Sequence, residues 1–412
     1  MSNKVVNMLQ QGGSESRGSL QVVVLSENNR PVENARVQIS YTGEPDNVLE
    51  ELVTNSSGRT EPINLLAPPL EYSLNPGIEQ PYSEYTLRIT AEDFAPLEIV
   101  GAEVLPNIRS VQNASLVSAA VSQGSDIVIQ PNTLYGNYPA KIAESEIKPL
   151  GESGEIVLSR VVVPETVIVH DGSPNDTTAT NYYVPYRDYI KNVASCEVYA
   201  TWPEATLTAN ILAIMSFTLN RVYTEFYRNR GFDFTITSST AYDHKWIYGQ
   251  TIFENISLLV DEIFDQYLSR PDVKQPILTQ YCDGRKVTCP NWMTQWGSKS
   301  LGDQGYSPIE ILRHFYGESI YINTAEQIAG IPASWPGYNL DIGVTGDKVR
   351  QLQEQLDRIA EVYTAIPRIA TDGIFGENTQ AAVREFQSIF GLPQTGIVDF
   401  RTWYRISQIY VG

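Results

Sequence analysis

The sequence predicts a multidomain chain: an N-terminal all-β sandwich, a central α-rich (α+β) domain and a C-terminal unit of three helices. Three observations carry this expectation. The chain has 412 residues, more than one hydrophobic core usually serves. Short alternating runs broken by turns fill 19–119, the spacing of a small sandwich. From 339 onward, apolar residues recur at helical spacing in three successive segments.

Composition narrows the partners. With 42% hydrophobic and 19% charged residues the chain is globular. A net charge of −19 repels nucleic acid and anionic membrane surfaces. No run approaches the roughly eighteen apolar residues of a membrane span. The opening MSNKVVNMLQQGGSESRGSL has no apolar h-region, so no standard secretory signal is expected. Three cysteines do not make a disulfide scaffold.

Residues 1–18 are rich in Ser, Gly and Gln and read as a flexible leader. In 19–119, SLQVVVLS, ARVQISYT, SEYTLRITA and PLEIVGAEVLP read as strands, with NNRPV and TNSSGRT as turns. This stretch has no His or Cys, and its acidic residues fall mostly in turns and at strand ends, where solvated surface is the plain expectation. Residues 120–165 read as a connector with short strands, SDIVIQP and GEIVLSRVVVP, which a protease could reach. VVVPETVIVHDGSP leads into the next domain. Asn175, Asp176 and Thr177 match the glycosylation tripeptide, which carries little weight without a secretory signal.

The central domain is expected over 166–325, arranged around Tyr186 to Arg228. Tyr186, Ile190, Val193, Ala194 and Glu197 share one helical stripe, which sets a carboxylate among residues expected to face inward. At the Trp202-Pro203-Glu204 corner, Pro203 suits the first position of a second helix. That helix is apolar from Leu207 to Phe226 and reads as the buried spine. IFENISLLVDEIFDQYLSR is read as one amphipathic helix ended by Pro271, with Glu254, Asp261 and Asp265 pointing away from its apolar stripe. The loop QYCDGRKVTCPNWMTQWGSKSLGDQGYSP is dense in aromatics and glycine and suggests a cleft wall. IEILRHFYG is a short closing helix. After a linker at 326–338, the unit at 339–412 carries three helices. Its turns DGIFG and TGIVD form a weak internal repeat.

The segments VRQLQEQL, IPRIATDGIFGENTQAAVREFQ and GLPQTGIVDFRTW resemble the three-helix peptidoglycan-binding domain. There Gly373, Gly376 and Gly396 suit tight turns, while Asp372, Thr379, Gln387 and Trp403 can offer hydrogen bonds and stacking near one surface. Thr379 would equally suit a helix start, and Trp403 a core position. RPVENARVQI, TNSSGRTEPINL and YTLRITAEDFAPLEI resemble the carboxypeptidase-regulatory or transthyretin-like sandwich.

YIKNVASCEVYATWPEATLTANILAIMSFTLNR, supported by SSTAYDHKWIYG and CDGRKVTCPNWMTQWGSKSLGDQGYSPIEILRHFYG, resembles the catalytic domain of stage II sporulation protein D and of the spore cortex-lytic enzyme family. The resemblance implies a lytic transglycosylase that cuts peptidoglycan between N-acetylmuramic acid and N-acetylglucosamine, with Glu197 as its acid. One carboxylate suffices for that chemistry, whereas ordinary glycoside hydrolysis needs two. A Glu on an apolar stripe beside Trp202 is expected to hold its proton more tightly than usual. Trp202, Tyr242, Asp243, His244, Gln295 and Trp296 are candidate cleft residues, with Asp283 in the same loop as the last two; a surface loop is an open alternative for Tyr242, Asp243 and His244, and core packing an equal one for Trp296. Cys282 and Cys289 are expected as a disulfide or two free thiols. Zinc is not expected, because the loop has no His, and no cofactor is implied. The resemblance also implies peptidoglycan strands as partner, an activating protease that removes an N-terminal part, and residence in spore cortex or cell wall. Two alternatives stay open: a non-catalytic wall-binding adaptor of a spore or phage-tail-like assembly, and a muramidase that uses water.

Overall fold

The computed structural model describes residues 16–77, 80–132, 134, 139–148, 160–331 and 334–411. Most of the expected leader lies outside them, although Arg17 and Gly18 already belong to the first strand. The N-terminal strands are β1 (Arg17–Ser26), β2 (Arg36–Tyr41), β3 (Val48–Val53), β4 (Ile63–Leu66), β5 (Ser83–Thr90), β6 (Leu97–Val104), β7 (Arg109–Leu116) and β8 (Ser125–Val128), with a short helix α1 (Leu70–Leu74) between β4 and β5. One sheet runs β3-β2-β5-β6-β8, and β1 is flanked by β4 and β7 in the other. Alternation buries Leu20, Val22 and Val24 of β1 against Val37, Ile39, Leu87 and Ile99 of the facing sheet. At Gly101 the register of β5 and β6 shifts by one, so Gly101 bulges at φ 95°. A Cβ there would lie 2.9 Å from the Ile129 carbonyl, so glycine is required.

The central part adds β9 (Val162–Val163), β10 (Thr166–His170), β11 (Asn181–Pro185), α2 (Tyr186–Glu197), α3 (Glu204–Tyr223), β12 (Ile236–Thr237), β13 (Ile252–Phe253), α4 (Glu254–Ile263), β14 (Gln266–Ser269), β15 (Tyr281–Cys282), β16 (Met293–Thr294), α5 (Gln295–Asp303), α6 (Pro308–Tyr316), β17 (Tyr321–Thr324) and β18 (Gln327–Ile328). Pro203 is the N-cap of α3 rather than its first helical residue, and the helix ends at Tyr223, before Phe226. Three other expectations are corrected. The segment read as one helix up to Pro271 is α4 followed by β14, which pairs with β17 and buries Tyr267 and Leu268; a short apolar run carries too little periodicity to separate the two. Asp261 faces inward, against Arg187 and Lys191. The dense loop contains α5, masked in the sequence by Gly297 and Gly302. Those glycines let α5 close on its neighbours: a Cβ at Gly302 would meet the Thr206 hydroxyl of α3 at 2.0 Å.

The C-terminal helices are α7 (Asp347–Ile359), α8 (Glu377–Ile389) and α9 (Phe400–Val411). The internal repeat is physical. Gln353 Oε1 accepts from Gly373 N–H at 2.8 Å, while its Nε2 donates to the Ile374 carbonyl and the Thr379 hydroxyl. Gln387 does the same with Gly396, Ile397 and Thr402.

These parts share surfaces. β13 pairs with β7 and so extends the sandwich sheet with a strand of the central part. The connector is not loose where it is described: Ile142 N–H donates to the Ala241 carbonyl, Leu278 N–H to the Glu146 carbonyl, and Glu144 accepts two bonds from Arg221. Its residues 149–159 lie outside the described set. One apolar cluster runs from the central helices into α7, α8 and α9.

Candidate active site

Glu197 is the last residue of α2, half-buried, at the point where the chain leaves the helix for the Trp202 corner. Its Oε1 accepts from the Lys245 backbone N–H at 2.8 Å, and its Oε2 accepts from Gln295 Nε2 at 2.8 Å. The same Gln295 nitrogen donates to the Glu197 carbonyl at 2.8 Å. Gln295 can do this because it opens α5, directly after the short strand β16. Glu197 sits in the wall of a hollow lined also by Leu134, Pro139, Lys141, Thr240, Tyr281, Cys282, Asp283, Val287 and Gln295.

Among the described residues the lining of the hollow carries three charged side chains, Glu197, Lys141 and Asp283. Both oxygens of Asp283 are engaged, accepting from the backbone N–H groups of Lys286 and Val287 at 2.7 and 3.0 Å. Cys282 and Cys289 are bonded, with Cα atoms 6.1 Å apart, and close this loop. Lys141 places its ammonium 4.8 Å from the Tyr281 ring centroid and 5.4 Å from that of Phe217. Burial pulls that ammonium down to about 8, opposed by the carboxylates of Glu197 and Asp243. The Tyr281 phenol is pushed well above its ordinary value by burial and by the neighbouring Glu197 charge, so it stays neutral.

The remaining sequence candidates separate from this hollow. Trp202 and Trp296 are core residues, 3% and 6% exposed, with ring centroids 4.9 Å apart. Trp202 Nε1 donates to the Ser73 carbonyl at 2.9 Å, tying the corner to α1. Neither ring is open to a sugar. Asp243 is wholly buried; it accepts from Arg221 at 2.7 Å, the Tyr227 hydroxyl at 2.5 Å, and both N–H and hydroxyl of Thr237. His244 is equally buried, with Nδ1 3.0 Å from the Tyr189 hydroxyl and its ring stacked on Tyr281 at 5.7 Å. Burial, then Lys141 and Arg221, holds this imidazole well below its ordinary value and neutral. Asp243 and His244 therefore support the wall from behind. Tyr242 is half-buried and gives its carbonyl to Arg221, while Thr240 of the same segment reaches the hollow.

In the C-terminal unit, Thr379, Gln387 and Trp403 are 3%, 1% and 1% exposed and act as internal pins. Asp372 is exposed, with one oxygen accepting from Gln353 and from Ile374 N–H at the turn. Lys141, Thr240 and Tyr281 were not singled out from sequence. Lys141 lies in the stretch read as a connector, where nothing local marks it as a wall of a distant cleft.

Residues 345–406 match the family model of the peptidoglycan binding domain, so the chain carries a C-terminal helical domain of that type. A zinc D-Ala-D-Ala carboxypeptidase of Streptomyces albus G is 41% identical over 76 residues, 18% of this chain. The chain spans 28% of the length of that curated relative. The crystal structure of the SleB N-terminal domain is matched at 30% identity over 18% of this chain and 93% of that one, with a TM-score of 0.16. The Bacillus anthracis TIE protein is matched at 14% identity over 25% of this chain and 17% of that one, with a TM-score of 0.18.

Proposed function

We propose that this chain is a peptidoglycan lytic transglycosylase with Glu197 as its single acid and base. The observation that carries the reading is the Glu197 carboxylate, held by Lys245 N–H and Gln295 in the wall of that hollow. In the reaction, Glu197 protonates the glycosidic oxygen as the bond to the muramic anomeric carbon breaks. Its conjugate base then takes the proton of the muramic C6 hydroxyl, whose oxygen closes on the anomeric carbon to give a 1,6-anhydro end. Water takes no part and no second carboxylate is demanded.

The C-terminal domain would hold the enzyme on the wall and raise the local concentration of strands. The resemblance of the central sequence further suggests spore cortex as the wall and a precursor trimmed by a protease, and that of the N-terminal strands a transthyretin-like lineage for the sandwich. One observation favours a second reading, a wall-binding adaptor: the family match is confined to the C-terminal helices. Glu197→Gln separates them, since it keeps the shape and removes the proton donor. The expected result is cosedimentation with peptidoglycan at the parent level and loss of soluble fragments. Fragment release at the parent rate would contradict the role of Glu197; a parent that binds but releases none would leave the adaptor.

A further inference from the structure

Lys141 has no place in the reaction as written, yet it lines the same hollow as Glu197. It is the one basic side chain among the described residues of that lining. The faces of Tyr281 and Phe217 steady the cation without engaging its N–H groups. Among the described residues no hydrogen bond or ion pair uses its three donors. The two carboxylates that share the lining have their acceptors turned elsewhere, Glu197 to Lys245 N–H and Gln295, Asp283 to Lys286 and Val287. A chain of net charge −19 repels anions. A cation with unspent donors inside the hollow reverses that locally.

We propose that Lys141 is a specificity-determining residue, whose ammonium receives the free lactyl carboxylate of a muramic sugar that carries no stem peptide as the strand lies against Glu197. The inference rests on the glycan-cleaving reading for its substrate class, and it names the feature of the strand that is recognised. The ammonium donates charge-assisted hydrogen bonds to that carboxylate, which an amide in its place would receive less well. The proton remains on Lys141 throughout.

The test uses the full chain carrying Glu197→Gln, so that the strand is bound and not cut. The probes are two tetrasaccharides of alternating N-acetylglucosamine and N-acetylmuramic acid, one with free lactyl carboxylates and one with these converted to methyl amides. Calorimetry should give roughly tenfold tighter binding of the carboxylate form, the scale of one hydrogen-bonded charge. Adding Lys141→Gln should erase that preference by weakening the carboxylate form alone, and Lys141→Arg should keep it. Equal binding of the two glycans before Lys141 is changed, loss of affinity for both alike in Lys141→Gln, or no binding of either would overturn the proposal. If the preference follows Lys141 while the parent yields no anhydro ends, the recognition stands and the catalytic reading falls.

Discussion

At the scale of single residues, the site depends on how Glu197 is held. Gln295 contacts both its carboxylate and its carbonyl through one nitrogen, so it fixes the rotamer and the helix end together. Gln295→Leu keeps the volume and removes the donor; the release of soluble muropeptides should fall by about tenfold to a hundredfold, the range for a lost hydrogen bond to a charged group. A rate within twofold of the parent would show that Gln295 does not position Glu197. Glu197 was singled out as a candidate by a carboxylate out of place on an apolar helical stripe together with the family resemblance, since the stripe alone suits a capped structural Glu equally well. Gln295 was legible as part of a dense loop. Trp202 was misjudged, and for Trp296 the core alternative is the one the structure shows, for one physical reason: an aromatic in a loop can stack on a sugar or on another ring, and here each has the other ring and Tyr199. Lys141 and Tyr281 were missed because the fold brings them together from separate segments.

At the scale of elements, α2 and α4 are joined by a buried charge cluster. Asp261 meets Lys191 at 2.8 Å and Arg187 at 3.3 Å, and those two cations hold its carboxyl below the usual range against burial. A carboxyl lowered in the folded state contributes stability above its ordinary range, and this is lost as the pH falls through the lowered value. Asp261→Asn leaves two buried cations uncompensated and should cost about 3–5 kcal/mol, read as an earlier unfolding transition by calorimetry. An unchanged transition would mean that solvent reaches the cluster. Arg187 also donates to the Tyr404 carbonyl at 2.9 Å and to Gln408, so α9 should loosen with it. The helices α2, α3, α7, α8 and α9 were readable because long amphipathic or apolar segments average out local exceptions. The α4–β14 break and α5 were not, since pairing with β17 decides one and close helix packing through glycine decides the other. The turn repeat was visible as a pattern, but its cause, two buried glutamines each satisfying a turn, required the structure.

At the scale of the whole molecule, the sandwich is bonded to the central part by more than β13. Thr251 accepts from Glu103 N–H, Gln250 donates to the Glu103 carboxyl at 3.0 Å, and Gln112 donates to the Gly249 carbonyl. Burial pushes the Glu103 carboxyl up to about 8 from 4.5, partly offset by the Lys245 charge and the Gln250 bond. A carboxyl raised in the folded state binds its proton there more tightly than in the unfolded chain. Its contribution is therefore complete below about 4.5 and is lost as the pH rises through about 8. Between pH 6 and 9 the unfolding temperature of the parent should fall, and Glu103→Gln should flatten that slope; equal slopes in the two proteins would remove Glu103 as its cause. Such joints were invisible in the sequence, because they pair residues of the sandwich with residues of the central part. They leave the sandwich, the hollow and the C-terminal domain as one connected molecule around Glu197. The central claim, that this carboxylate cuts a glycan strand without water, is tested most directly by mass spectrometry of peptidoglycan digested with the full chain. The account predicts fragments ending in 1,6-anhydromuramic acid, and fragments ending in reducing muramic acid would contradict it.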